Sequence, residues 1–192
     1  MSYTDLREAV AKITALLFGP AERDPISRQA RLIRDSNIRD AARMVATMPG
    51  VINMGQGLPE FPVPRFLKDA AIEAINADFN QYSNTWGYPQ LRNVIAAKMR
   101  RFNQVSCDPE TNVTVTCGAS EALNASLLAI VDPGDEVIVF EPFYENYHPN
   151  AILSSARPRY VKLHAPDWTF DDPGLEAAFN RRTRAILINN PP

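Results

Sequence analysis

Residues 112–140 read NVTVTCGASEALNASLLAIVDPGDEVIVF, and the order of residue types in this stretch decides the fold class. Asn112–Thr116 is a short β-branched run, which predicts a strand. Small residues then turn the chain, and Gly118 to Ile130, rich in Ala and Leu, predicts a helix. Asp132-Pro133-Gly134 is a turn signal. Glu136–Phe140 (EVIVF) is apolar beyond its first residue, as a strand covered on both faces must be. Downstream, Arg159–Leu163 and Arg184–Asn189 predict two more strands, with a helix around Leu175–Phe179 between them. Strands alternating with helices predict an α/β domain with a mostly parallel sheet and helices on both faces.

Upstream the pattern is helical. Apolar residues at Phe66, Leu67, Ala70, Ala71, Ala74 and Ile75 recur with helical spacing over Arg65–Ala77. A further helix is expected from Pro89, a favourable first-turn residue, to Phe102. Helical stretches rich in Arg lie around Ser27–Leu32 and Ile38–Met48. The first twenty residues predict an amphipathic helix with Leu6, Val10, Ile13 and Leu17 on one face. Asp5, Arg7, Glu8 and Lys12 interrupt it, so it reads as neither a signal peptide nor a membrane span. Two Pro-rich knots punctuate the chain, Leu58–Pro64 and Asn189–Pro192, and the first divides it.

Composition narrows the function. The 192 residues are 45% hydrophobic and 22% charged, as in ordinary soluble domains. A formal net charge of −2 offers no basic face for nucleic acid and no signal for a membrane surface. Cys107 and Cys117 make no metal-like or secreted framework, so no metal site is expected and reduced thiols in the cytoplasm are the simpler reading.

Parallel sheets bind ligands at the carboxyl ends of their strands, near helix N-termini. Three loops answer that description: Thr116–Ser120, Phe140–Tyr144 and Asn189 onward. In the first, free N–H groups at a helix start make an anion site; Gly118 and Ala119 allow close approach and Ser120 adds a hydroxyl. The plain alternative is a tight strand–helix turn with a Ser cap. In the second, Phe143, Tyr144 and Tyr147 follow a buried strand and are suited to stack on a flat heterocycle, or simply to pack in the core. Residues 80–89 (NQYSNTWGYP) make either a binding loop offering the Tyr82 hydroxyl or an ordinary surface loop. Residues 53–59 (NMGQGLP) make either a substrate lid or a crossover between domains.

Together, four segments resemble the class I/II aminotransferases, which have the fold of aspartate aminotransferase and use pyridoxal 5′-phosphate. INMGQGLPEFPVP (52–64), QYSNTWGYPQLR (81–92), VTVTCGASEAL (113–123) and GDEVIVFEPFYENY (134–147) are most similar to the kynurenine and glutamine–phenylpyruvate aminotransferase branch, some members of which are cysteine-conjugate β-lyases. Leu58 and Glu60 depart mildly from that branch's pattern. The likeness spans Ser36 to Pro192. It implies that Gly118, Ala119 and Ser120 cradle the cofactor phosphate and that Tyr144 stacks on its ring. It also implies that Tyr82 reaches the phosphate of a partner subunit in a homodimer, and that Gly57 lies beside the substrate carboxylate. Residues 1–62 are then an N-terminal arm and small-domain segment, and 63–192 the N-terminal half of the large cofactor domain.

The expected activity is transamination between an amino acid and a 2-oxo acid. Alternatives on the same scaffold are a C–S β-lyase and a non-catalytic half or subunit. No catalytic residue is assigned within the chain. The family's Asn-Pro-Thr-Gly motif would follow Pro192, and its Asp, Tyr, Arg and cofactor-holding Lys would follow that. Lys12, Lys68, Lys98 and Lys162 are the only lysines, and none stands in the family's Ser-Lys context. The expectation is therefore an incomplete large domain supplying four strands of a seven-stranded sheet, inactive by itself.

Overall fold

The computed structural model describes residues 3–19, 26–33, 36–55, 57 and 59–190. Gln56 and Leu58 of the glycine-proline segment, and Pro191 and Pro192 of the terminal proline pair, lie outside the described residues. The chain divides into two compact units, residues 1–34 and 35–192.

The first unit holds the expected amphipathic helix, α1 (Tyr3–Phe18), and one short turn of helix, α2 (Arg28–Arg31). Ser27 caps α2, its hydroxyl accepting the Ala30 N–H at 3.1 Å. On α1 the apolar face of Leu6, Val10, Ile13 and Leu17 is exposed.

The second unit opens with α3 (Asn37–Ala46) and α4 (Arg65–Asn76), followed by α5 (Pro89–Lys98) with Pro89 in its first turn. A π-helical turn, Met99–Asn103, extends α5 and ends at Gln104 in the left-handed conformation. Next come α6 (Gly118–Ile130), β1 (Glu136–Glu141), α7 (Tyr147–Leu153), β2 (Arg157–Lys162), α8 (Asp172–Ala178) and β3 (Thr183–Leu187). The three strands form one parallel sheet in the order β2-β1-β3.

Side chains alternate across a strand, so the central strand must serve two cores. Val137 and Val139 pack on one face with Leu127 and Val131 from the α6 end and Ala151 and Ala156 from the α7 end. Ile138 points the other way, to Val161 of β2 and Ala178 of α8. Val137, Ile138 and Val139 are wholly buried, each contributing about 1.5–3 kcal/mol by removal from water. This confirms the α/β class, the parallel sheet and the helices on both faces.

The sheet has three strands rather than the four expected. Asn112–Thr116 joins no ladder among the described residues. Its Val115 N–H instead donates to the Trp86 carbonyl at 3.0 Å. A β-branched run supplies a local preference, but a ladder needs successive backbone groups of one neighbouring strand, and among the described residues this segment pairs with no such strand.

Two polar anchors secure the loops around this core. Arg92 on α5 is almost fully buried, at 1% exposure. Its guanidinium donates to the Pro109 carbonyl at 2.9 Å and to both carboxylate oxygens of Glu110 at 3.0 and 3.1 Å. It thus ties α5 to the segment that leads into α6. At the amino end of the sheet, the Asp135 carboxylate accepts the Asp132 N–H at 3.1 Å and the Arg184 Nε–H at 3.0 Å. The turn hydrogen bond from Asp132 and then the Arg184 guanidinium hold this carboxyl below the usual carboxylate range.

A carboxyl depressed in the folded state contributes stability above its unfolded pKa, and that contribution disappears as pH falls through the lower native value. Urea midpoints measured between about pH 6 and pH 3 should therefore fall on acidification below about pH 4. In Asp135→Asn that part of the acid sensitivity should be absent, at some cost to the midpoint near neutrality. A variant with an unchanged acid limb would show that the Asp135 carboxylate, with its Asp132 and Arg184 bonds, contributes nothing to the acid dependence.

Candidate cofactor site

The carboxyl end of the sheet opens on a cleft of about 420 Å³. Its walls come from three stretches distant in sequence: Cys117–Leu123 at the start of α6, Tyr144–Tyr147 at the start of α7, and Leu187–Ile188 at the end of β3.

The first wall is built by the turn from Thr116 into α6. Gly118 takes φ +85°, a conformation that side chains disfavour. The Thr116 carbonyl accepts the Gly118 N–H at 2.8 Å, and the Thr116 hydroxyl donates to the Gly118 carbonyl at 3.0 Å. The Glu121 carboxylate folds back to accept the Cys117 N–H. Locked in this way, the turn presents the first-turn amides of α6, which have no intrahelical acceptors, along the rim. No atom lies within 4 Å of where a Gly118 Cβ would stand, so the approach is open.

The second wall is aromatic. Tyr144 and Tyr147 meet edge to face, 5.8 Å between centroids at 82°. The Tyr147 hydroxyl donates to Asn189 Oδ1 at 2.8 Å, joining α7 to the chain leaving β3. Asn146 Nδ2 donates to Ser120 Oγ at 3.1 Å and to the Tyr144 hydroxyl at 3.2 Å, linking the two walls. Glu145, between them in sequence, accepts from the Ser36 hydroxyl and, at 3.5 Å, from the Ile38 N–H at the start of α3. Behind the loop, Phe143 stacks on Tyr160 of β2, 5.6 Å apart at 11°. Burial, and secondarily the charge of Glu141, raise the Tyr160 hydroxyl above the usual phenol range.

Four of the six residues singled out from sequence line this one cleft: Gly118, Ala119, Ser120 and Tyr144. Tyr82 does not join them; its side chain is fully exposed. Gly57 is exposed as well and is not among the lining residues. Tyr147, grouped from sequence with Phe143 and Tyr144 as a candidate stacking aromatic, lines the cleft too. Sequence reasoning assigned no role to Asn146 or Leu123, although Asn146 sits in the same aromatic segment. The spacing of Tyr144, Asn146 and Tyr147, one to three residues around a helix start, was the available signal. Asn190, left without a role, lines a separate hollow of about 260 Å³ with Trp168 and Phe170. None of the four lysines lines either space. Lys98, for example, donates to Asn103 Oδ1 at 2.8 Å and sits over the Phe102 ring.

The family model described as aminotransferase class I and II matches residues 49–192. The chain belongs to that family. Human kynurenine–oxoglutarate transaminase 1 is 37% identical over an alignment of 160 positions that covers 77% of this chain and 38% of that protein. Among solved structures, N-succinyldiaminopimelate aminotransferase from Mycobacterium tuberculosis superposes with a TM-score of 0.80 at 37% identity, covering 87% of this chain and 44% of that one. Aspartate aminotransferase from Thermus thermophilus, solved with maleate, also gives 0.80, at 29% identity over 88% of this chain and 46% of that one. The chain thus spans less than half the length of these relatives. Membership confirms the aspartate aminotransferase-like fold and the kynurenine-transaminase kinship that the sequence motifs imply.

The cleft's chemistry fits the family's cofactor, pyridoxal 5′-phosphate. An anion needs donors that are already oriented, and the first turn of α6 with the Ser120 hydroxyl supplies them. A flat ring needs an aromatic face and an apolar floor, and Tyr144 with Leu123 and Leu187 supplies those.

Proposed function

We propose that this chain carries the phosphate-and-ring half of a pyridoxal-phosphate site serving transamination between an amino acid and a 2-oxo acid. The observation that carries the reading is the convergence of the Gly118–Ser120 turn and Tyr144 on one cleft at the carboxyl end of a parallel sheet. Gly118, Ala119 and Ser120 hold the phosphate, and Tyr144 covers the ring. When bound, pyridoxal phosphate acts as an electron sink that lets the α-proton of an amino acid depart. The residues of this chain bind and orient it and keep water from one of its faces.

By family likeness the reading extends to a cytoplasmic homodimer in which Tyr82 reaches the partner's cofactor phosphate and Gly57 lies by the substrate carboxylate. Full exposure of Tyr82 on this chain is compatible with that role. The domain division at residues 62 and 63 belongs to the same reading.

The test is an absorbance titration of the purified chain with pyridoxal phosphate, followed by dialysis, borohydride reduction and mass spectrometry. Saturable binding that washes out, with no single lysine modified stoichiometrically, is the expected result. Absence of saturable binding would remove the cofactor reading. Stoichiometric modification of one lysine would show that the chain carries its own covalent anchor, contrary to the position of all four lysines outside the cleft.

A further inference from the structure

We infer that Asn146 is a positioning residue that sets the direction in which two cleft hydroxyls donate their protons. This rests on the cofactor reading of the cleft but concerns a residue that reading does not use. Asn146 Nδ2 carries two hydrogens and no acceptor capacity. It donates one to Ser120 Oγ at 3.1 Å and the other to the Tyr144 hydroxyl at 3.2 Å. Each hydroxyl therefore spends a lone pair on the amide and keeps its own O–H free. With one lone pair of each committed to the amide, both protons are available to a ligand in the space that Ser120, Tyr144 and Asn146 together line.

The arrangement matters because a hydroxyl rotor is indifferent by itself: it donates or accepts as its neighbour dictates. A phosphate is acceptor-rich, so a Ser120 hydroxyl already committed as an acceptor elsewhere meets it as a donor at no reorganisation cost. The same amide ties the phosphate wall to the ring wall, so the two ligand contacts are set together. Asn146 is well held for the task. Its backbone carbonyl accepts both the Asn150 N–H at 3.2 Å and the Asn150 side-chain amide at 2.6 Å, so the residue is fixed by the main chain of α7 whatever its side chain does.

An aspartate at this position is nearly the same shape but only accepts. It would draw both hydroxyl protons away from the cleft. The order of damage then separates orientation from packing. A packing role makes Asn146→Ala the worse variant, because it removes atoms; an orienting role makes the near-isosteric Asn146→Asp the worse one.

The experiment titrates the full chain and its variants with pyridoxal phosphate and with pyridoxal, which lacks the phosphate, and reads the ratio of the two dissociation constants. Circular dichroism melts run alongside. The preference for the phosphorylated ligand should fall about threefold in Asn146→Ala and about tenfold in Asn146→Asp. Repulsion between a new carboxylate and the phosphate could mimic the second result, and Ser120→Ala distinguishes the two. If Asn146 acts through Ser120, most of the aspartate effect disappears in the Ser120→Ala background; if repulsion acts alone, it persists in full and the inference fails. Should Asn146→Asp not fold, the same comparison is made with Asn146→Ala, whose effect must also shrink without the Ser120 hydroxyl. A wild-type preference unchanged by either substitution overturns the inference while leaving the cofactor reading intact. Failure of the wild-type chain to bind pyridoxal phosphate removes both.

Discussion

Replacing Gly87 by alanine should destabilise the chain by about 2–6 kcal/mol, the sum of two separate penalties. Gly87 adopts φ +100°, where a residue with a Cβ is strained by about 1–3 kcal/mol. The added Cβ would also stand 2.6 Å from Val115 Cβ and 2.7 Å from its Cγ2, far inside normal contact. Relieving that overlap requires the segment before α6 to move, at about 1–3 kcal/mol. Chemical denaturation of Gly87→Ala, Val115→Gly and the double variant divides the cost, because only glycine at 115 removes both overlapping atoms. The double variant should recover the overlap part and keep the strain. If it recovers everything, the backbone conformation at 87 is dispensable. The loss should also weaken cofactor binding, because Val115 stands just ahead of the turn that carries Gly118–Ser120.

Leu127→Ala should cost about 3–4 kcal/mol, within the range for deleting a buried leucine when its surroundings collapse only partly. Leu127 is 2% exposed and packs against Val137 and Val139 of β1, so the cavity would open where α6 meets the sheet. Leu123, one turn earlier on the same helix, packs on that cluster and also lines the cleft. Stability and pyridoxal-phosphate affinity should therefore fall together, with denaturant midpoint and binding titration measured on the same protein. A large drop in stability with unchanged affinity would show that the first turn of α6 is held in place independently of its core face.

The parts of this fold that sequence reasoning recovered are those whose causes are local. EVIVF can only be a strand covered on two sides, and GASEALNASLLAI can only be a helix between a glycine turn and Asp132-Pro133-Gly134. The error at Asn112–Thr116 has the opposite origin. Its β-branched residues state a preference that a partner must satisfy, and the sequence of the segment does not name the partner. Arg92 was hidden for a related reason. A basic residue in a helical pattern reads as a solvated charge until its acceptors, Pro109 and Glu110, are known to lie against it. At the site, the segments of Gly118–Ser120 and Tyr144 were legible as loops after predicted strands, with alternatives left open, and the roles proposed for them came from the family resemblance. Asn146 was not legible, since its value lies in a bond to Ser120, which only the folded sheet brings near.

The strand order has a consequence for how the cleft comes into being. No two paired strands here are joined by a hairpin; β1 reaches β2 only after α7, and β3 only after α7, β2 and α8. Every ladder must therefore bear the entropy of closing a long loop before its contacts reward it, which places such topologies among the slower folders. The walls of the cleft are drawn from the two sides of the longest of these closures, with the residues around 118 and 144 on one side and Leu187 on the other. Until β3 has docked on β1 the cleft lacks the side that Leu187 and Ile188 supply, so an unfolded chain offers a ligand no complete cleft. Anything that binds the assembled cleft then acts on the native state alone and raises the unfolding free energy by mass action.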